Sequence, residues 1–423
     1  MKRGFYTIMA AQFFSSLADN ALLIAAIALL IEMQAPDWAK PILKLFFTVS
    51  YVSLAPFVGP FADSMPKGRV MFITNLVKVV GCALMFLAIH PLLAYAVVGL
   101  GAAAYSPAKY GILTELLPPE RLVAANGWIE GTTVASIILG TVLGGALISP
   151  SVSAYLIAMN IPGCDTAAET AILVIGLIYI VAAAFNLRIP DTGARYPRQT
   201  WQPIRMTREF GSCCGVLWRD KLGQISLAVT TLFWGAGATL QFIVLDWARV
   251  ALGMPLNQAA ILQGVVAIGI TAGAALAARR VSLKASVRVL PVGVAMGLIV
   301  PVMTLVSTQS LAYPLLVLIG ALAGFFVVPM NALLQHRGYV LMSAGQSISV
   351  QNFNENLNVL LMLGLYALLI GLDLHVYSII VMFGGFVAVM MLAVMALHRY
   401  NQKHFDSVAL IGQARPSAGR PEA

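Results

Sequence analysis

Long apolar stretches alternate with short polar breaks along this whole chain. Stretches of about twenty mainly apolar residues, enough to cross a lipid layer as a helix, fall near 5–31, 42–64, 69–89, 92–114, 122–149, 168–187, 222–248, 257–278, 288–307, 311–333, 346–371 and 374–397. The pattern predicts an all-α membrane protein with twelve transmembrane helices. Inside lipid, every backbone N–H and C=O must find its partner within the chain, and a helix does this within one segment. The order is six spans, a polar stretch and six more. This gives an N-terminal six-helix bundle over 1–187, a linker loop over 188–221, a C-terminal six-helix bundle over 222–397 and a tail over 398–423.

Composition agrees with the pattern. Of 423 residues, 60% are hydrophobic and 10% charged, against roughly 25% charged in soluble proteins. Met1-Lys2-Arg3 resembles the start of a secretory signal, but the apolar segment after it is long, contains Gln12, Asp19 and Asn20, and has no small-residue cleavage site. The first helix is therefore expected to stay. The net charge of +9 is distributed unevenly. Lys2, Arg3, Lys67, Arg69, Arg121, Arg188, Arg195, Arg198, Arg205, Arg208, Arg219 and Lys221 fall on one set of loops, and Arg279, Arg280, Lys284, Arg288, Arg337, Arg399 and Lys403 continue on the same side. The opposite loops hold little beyond Lys40 and Lys44. This bias places both termini and the 188–221 loop in the cytoplasm. It argues against nucleic acid as a partner and for attraction to anionic headgroups. The polar tail from Asn401, with Pro416 and Pro421, is expected to be disordered.

Little in the chain suggests an enzyme. It has no Walker loop, no GxSxG and no His/Cys metal cluster, so no metal and no bound cofactor is expected. Cys82, Cys164, Cys213 and Cys214 have neither metal-site nor disulfide spacing and read as packing or idle thiols.

The chemistry lies in polar groups placed where lipid should be. A charge at the bilayer centre costs at least ~2.5 kcal/mol on insertion scales. On span one, Gln12, Ser15, Ser16 and Asp19 share one helical face, with Asn20 at its edge. Span four carries Lys109 between Pro107 and Gly111, where a kink or local opening is expected. Span five carries Asn126, read as a helix cap, and Glu130 one turn deeper, then Gly140, Gly144 and Gly145 as a surface for close helix approach. On span seven, Gly235 and Gly237 are expected to loosen the helix, Gln241 sits near mid-depth, and Asp246 is spaced to pair with Arg249. Trp234 reads there as a core residue and Trp247 as an interfacial anchor. Span eleven is the most polar, with Gln351, Glu355 and Asn358 on one face and Asn352, Asn354 and Asn356 widening it. The candidate translocation residues are Asp19, Asn20, Lys109, Glu130, Gln241, Gln351, Glu355 and Asn358.

A faint repeat relates the halves. "AYSPAKYGIL" in span four aligns with "FVVPMNALL" in span ten, placing Pro107 over Pro329 and Lys109 over Asn331. "GPFADSMPKGR" after span two aligns with "GAALAARRVSL" after span eight, placing Gly59 over Gly273 and Asp63 over Ala277. "GPFADSMPKGR" resembles the major facilitator signature, with Gly59, Asp63, Lys67 and Arg69 in the motif positions and Ser64 and Pro66 departing from it. The resemblance implies two pseudo-symmetric six-helix halves around a central site. It also implies that Gly59 allows close helix contact while Asp63 meets helix ends or basic groups to hold a closed gate.

A narrower resemblance follows. "AQFFSSLADNALL", "VGLGAAAYSPAKYGILTELL", "LVAANGWIE", "TLFWGAGATL" and "AGQSISVQNFNEN" are similar to segments of the bacterial lysophospholipid transporters. That resemblance implies movement of lysophosphatidylethanolamine and lysophosphatidylglycerol from the outer to the inner leaflet of the inner membrane, by alternating access and as a monomer. An acyl-ACP-dependent acyltransferase/synthetase, expected as a separate chain, would then reacylate them. It also assigns functional roles to Asp19, Asn20, Lys109 and Glu355, while Gln241 stands where relatives often carry arginine. The alternatives are a proton-coupled exporter of amphiphilic drugs, although Thr141 replaces the proline of the drug-antiporter motif in span five, and an uncoupled lipid scramblase. Coupling to Na⁺, to H⁺ or to the substrate gradient alone stays open at this level. So does the partner of Asp19, whether a lipid amine, a cation or Lys109.

Overall fold

The computed structural model describes residues 3–36, 39–87, 89–162, 164–197, 201–254 and 256–412. Lys2, Arg198 and the tail beyond Gly412, with Pro416 and Pro421, lie outside the described residues. The helices are, in order, α1 (Arg3–Glu32), α2 (Ala39–Ser53), α3 (Ala55–Asp63), α4 (Lys67–Phe86), α5 (Pro91–Leu116), α6 (Leu122–Leu147), α7 (Pro150–Ile157), α8 (Ala167–Leu187), α9 (Pro203–Arg219), α10 (Gly223–Ala251), α11 (Leu256–Arg280), α12 (Leu290–Ile299), α13 (Gln309–Leu341), α14 (Ala344–Gly371) and α15 (Val376–His404). Among the described residues eleven helical segments are long and apolar enough to cross a membrane, and the bent pair α2–α3, taken as one span, makes twelve.

The expected spans recur with local differences that proline explains. Span two is broken, with α2 and α3 meeting at 66°. Pro56 enters the first turn of α3 and Pro60 lies inside it, so backbone donors of a continuous helix are missing there. Span nine is α12 flanked by tighter 3-10 turns at Leu283–Val289 and Val300–Leu305. By contrast, α5 runs unbroken through Pro107, so of the kink or local opening expected there the opening is absent.

The chain divides into two compact units, and their boundaries are not those of the sequence halves. Unit one is Met1–Leu116, Thr132–Phe210 and Ala344–Asn352; unit two is Leu117–Gly131, Gly211–Ser343 and Phe353–Ala423. The first nine residues of α14 thus complete unit one, and the first turns of α6 complete unit two. Within unit one, α4 packs on α5 and α8, and α1 on α8. The core there is rich in small residues, with Ala18, Ala21, Ala25, Ala94 and Ala171 against Tyr95, Ile175 and Tyr179. Small residues let helix backbones approach where lipid supplies no hydrophobic driving force. Gly140 and Gly144 of α6 lie against the carbonyls of Leu17 and Ala21 on α1, while Gly145, expected on the same surface, faces open space.

Within unit two, α11 packs on α13 and α12 on α15. Asn126 of α6 is more than a cap. Its Nδ2 donates to Gln335 Oε1 at 2.9 Å and its Oδ1 accepts from Gln335 Nε2 at 2.9 Å, in a buried amide pair. Replacing one partner with alanine strands the other, and a loss of about 1–3 kcal/mol of thermal stability is expected. The Asn126→Leu/Gln335→Leu double variant should lose less than either single variant, as measured by unfolding in detergent.

Three further expectations are corrected here. The 188–221 stretch is not all loop, because α9 occupies Pro203–Arg219. Pro203 suits its first position, and Met206 and Leu217 form a buried stripe. The tail is ordered as far as Gly412: α15 continues to His404, Arg337 Nη1 donates to the Leu410 carbonyl at 3.3 Å, and Gly412 N–H donates to His336 Nε2 at 3.0 Å. Trp247, expected at an interface, is fully buried, with Nε1 donating to the Met303 carbonyl at 2.9 Å.

Candidate functional site

Asp19 lies midway along α1, in unit one, and its cationic partner is Lys78 of α4. Lys78 Nζ donates to both carboxylate oxygens of Asp19, at 2.8 and 2.9 Å, and to Ser15 Oγ at 3.0 Å. Ser15 in turn donates to Asn75 Oδ1 at 2.8 Å, and the Tyr179 hydroxyl of α8 donates to Asp19 Oδ1 at 2.7 Å. The ammonium also stands 5.0 Å from the Tyr105 ring and 5.5 Å from the Tyr179 ring. The lysine side chain is 1% exposed and that of the aspartate 20%. A buried ion pair holds when both charges are compensated and their remaining hydrogen-bonding capacity is satisfied.

Lys78 is the residue that sequence reading missed. It sits three turns inside span three, with Asn75 and Thr74 one turn before it on the same face. The insertion cost that singled out Asp19 applies equally to this lysine. Lys109 does not meet Asp19. It is half-buried on α5, with Nζ 4.2 Å from the Tyr110 ring.

The rest of the α1 stripe divides between neighbours. Gln12 Nε2 donates to Thr133 Oγ1 at 2.7 Å, and Asn20 Nδ2 turns back to the Ser16 carbonyl at 2.8 Å. Gln351 is buried on the part of α14 that belongs to unit one, where Asn352 Nδ2 donates to Ser106 Oγ at 2.9 Å.

The motif after span two forms a second cluster in unit one. Asp63 Oδ1 accepts from Lys67 Nζ and from Gly345 N–H at 2.9 Å, at the first turn of α14. Gly59 packs against Gly345 and Gln346 so closely that a Cβ would sit 3.0 Å from backbone atoms. Lys67 also lies 3.5 Å from Glu115, which accepts from Thr192 and Tyr196 hydroxyls at 2.7 and 2.8 Å. Arg69 is exposed and outside this cluster. In the exposed segment beyond, hydrogen bonds from Arg195 and the Gly193 N–H hold the Asp191 carboxyl down at about 2, so the turn stays charged. On α9, burial pushes the Cys214 thiol up to about 11, which suits an unreactive thiol.

Unit two holds the remaining candidates. Glu130 and Glu355 are buried, at 5% and 6% exposure. Asn358 Nδ2 donates to the Thr231 carbonyl at 2.8 Å and occupies the space left by Gly235, where a Cβ would collide with it. That glycine makes room for a neighbour and does not loosen α10, which is unbroken. The Gln241 side chain is exposed, and its backbone carbonyl accepts from Gln263 at 2.8 Å. Asp246 accepts from the Tyr366 hydroxyl and lies 3.5 Å from Arg249. Among the described residues no group of three or more His, Cys, Asp or Glu could hold a metal ion.

Residues 8–350 match the family described as Major Facilitator Superfamily. The chain is 46% identical over 379 residues to a lysophospholipid transporter of Yersinia enterocolitica, covering 89% of this chain and 90% of that protein. It is 45% identical over 380 residues to the corresponding transporter of Yersinia pestis, covering 90% of each. Among solved structures it is similar to a bacterial homologue of the iron transporter ferroportin in an outward-facing state (TM-score 0.69, 15% identity, 95% of this chain and 100% of that one). It is also similar to the human organic anion transporter MFSD10 (TM-score 0.71, 14% identity, 94% and 100%). At such identities these structures speak for the fold alone.

Proposed function

The chain belongs to the major facilitator superfamily and, within it, to the bacterial lysophospholipid transporters, and from that premise we propose that it carries lysophospholipids across the bacterial inner membrane by alternating access. The observation that carries this reading is 46% identity sustained over nine-tenths of both chains. The substrate is single-chained, with a phosphate on every head and an ammonium on the ethanolamine form. Movement runs from the outer to the inner leaflet, with both termini in the cytoplasm, as the basic loops favour. The cytoplasmic product then has a free hydroxyl that an acyl-ACP-dependent acyltransferase/synthetase on a separate chain reacylates.

The polar residues divide this work. The Asp19 carboxylate, partly exposed beside its lysine, suits the substrate ammonium, and Lys109 suits the phosphate as a point charge. Glu355, Glu130 and Gln351 are buried polar groups on helices that otherwise face lipid or protein, and such groups mark a pathway by their insertion cost. Asn20, Gln241 and Asn358 are the further polar residues of this reading. The Asp63–Lys67 pair and its bond to Gly345 hold the cytoplasmic gate, with Gly59 allowing the approach and Arg69 adding charge to the loop.

The test is uptake of lysophosphatidylethanolamine by reconstituted vesicles, at matched protein content, under imposed Na⁺ or H⁺ gradients. Lys109→Ala and Glu355→Gln are each expected to slow uptake by about tenfold to a hundredfold, the worth of one charge-assisted hydrogen bond. Normal uptake by both variants would remove these residues from the pathway. Proton-driven efflux without lysolipid uptake would replace the reading with drug export.

A further inference from the structure

We propose that Lys78 sets which headgroup charges the protein accepts, by standing as a built-in cation on Asp19. This rests on the lysophospholipid reading above and adds a residue to it. An ammonium held by a carboxylate, a hydroxyl and aromatic ring faces is the chemistry by which proteins recognise amine headgroups. Here the chain fills such a cage with its own ammonium: Lys78 Nζ meets both Asp19 oxygens and Ser15, with the rings of Tyr105 and Tyr179 at 5.0 and 5.5 Å.

The two sides of the pair differ. The lysine side chain is 1% exposed and has given its three N–H donors to three oxygen atoms. The aspartate is 20% exposed. Among the described residues its Oδ1 accepts from both Lys78 and Tyr179, while Oδ2 accepts from Lys78 alone. A carboxylate oxygen has lone pairs for about two donors. The exposed edge of Asp19 therefore keeps acceptor capacity for a second ammonium, while the pair as a whole carries no net charge.

That neutrality bears on selectivity. A zwitterionic ethanolamine head can give its ammonium to the open edge of Asp19. A net-anionic glycerol head can lie beside the pair without meeting an uncompensated carboxylate. Removing the lysine charge leaves a bare carboxylate, which attracts the amine head and repels the anionic one. Removing the aspartate charge leaves a bare ammonium with the opposite bias.

The experiment compares wild type, Lys78→Met, Asp19→Asn and the double variant in reconstituted vesicles. Each is offered an equimolar mixture of lysophosphatidylethanolamine and lysophosphatidylglycerol with distinct labels. The readout is the ratio of the two uptakes within one vesicle preparation, so the amount of folded protein cancels. The ethanolamine-to-glycerol ratio is expected to rise about tenfold or more in Lys78→Met, to fall by a similar factor in Asp19→Asn, and to return near wild type in the double variant. A ratio unchanged in both single variants overturns the proposal. Where a single variant moves neither lipid, the same ratio is read as binding, by titrating the purified variant with each lipid and following intrinsic tryptophan fluorescence. Equal relative affinities to wild type again overturn it. A wild-type protein that takes up neither lysolipid overturns the transport reading instead, which separates the two failures.

Discussion

Asp19→Asn is expected to destabilise the protein by about 3–5 kcal/mol, the usual penalty for leaving one member of a buried ion pair without its partner. The substitution removes the counter-charge from an ammonium whose side chain is 1% exposed. Asparagine still offers one oxygen to Lys78, but it cannot neutralise it. Lys78→Met should be milder, since the stranded Asp19 is 20% exposed and keeps its bond from Tyr179. The methionine also keeps much of the lysine's side-chain volume at that position. The double variant should be more stable than Asp19→Asn, because replacing both members of a buried pair costs less than orphaning one. Unfolding midpoints in detergent, read from intrinsic fluorescence, check the order. Equal stability of all four proteins would show that the pair contributes little to the stability of unit one.

Gly273→Ala is expected to disrupt unit two by roughly 1–3 kcal/mol or more, as overpacking at a backbone contact does. On α11, Gly269 and Gly273 lie against the Val317 and Ala321 carbonyls, and on α13, Gly320 and Gly324 lie against those of Val266 and Ile270. The four glycines are spaced i, i+4 on each helix and bring the two backbones into direct contact. A Cβ at Gly273 would overlap the Ala321 carbonyl oxygen. No rotamer change relieves this, because the obstacle is backbone. Gly237→Ala is the contrast, since no atom lies within 4 Å of its would-be Cβ, and the substitution there should be neutral or slightly stabilising. Thermal unfolding of the two variants side by side measures the difference.

The sequence was informative where lipid leaves few options. Twelve apolar stretches have to become helices, and the boundaries of α1, α8 and α10 lie within a few residues of those the hydropathy pattern suggests. It was less informative where a short polar element folds on protein surface. The α9 stripe is diluted by Arg205, Arg208 and Glu209, so the segment reads as loop until the buried Met206 and Leu217 are seen to align. The ordered tail depends on His336 and Arg337, some seventy residues earlier in the chain, and no local pattern announces such a contact.

The site was half legible for a related reason. Polar residues clustered on one face, as on α1 and α14, declare themselves by their spacing. On α4 the patch is short, with only Thr74 and Asn75 accompanying Lys78 on its face, and it stands out less in an apolar run although the lysine charge is as expensive in lipid as that of Asp19. Lys109 attracted attention because Pro107 and Gly111 bracket it, yet the partner Asp19 takes is on α4. Pairing between helices is tertiary information, and the residue spacing along one helix cannot supply it.

One measurement addresses transport most directly. Purified protein is reconstituted into vesicles, labelled lysophosphatidylethanolamine is added outside, and the fraction that becomes resistant to extraction by external albumin is followed in time. Labelled diacyl phosphatidylethanolamine is followed in parallel. The lysolipid is expected to become protected at a rate that rises with protein content, while the diacyl lipid moves no faster than in protein-free vesicles. Protection of neither lipid, or of both at the same rate, would contradict a lysophospholipid transporter.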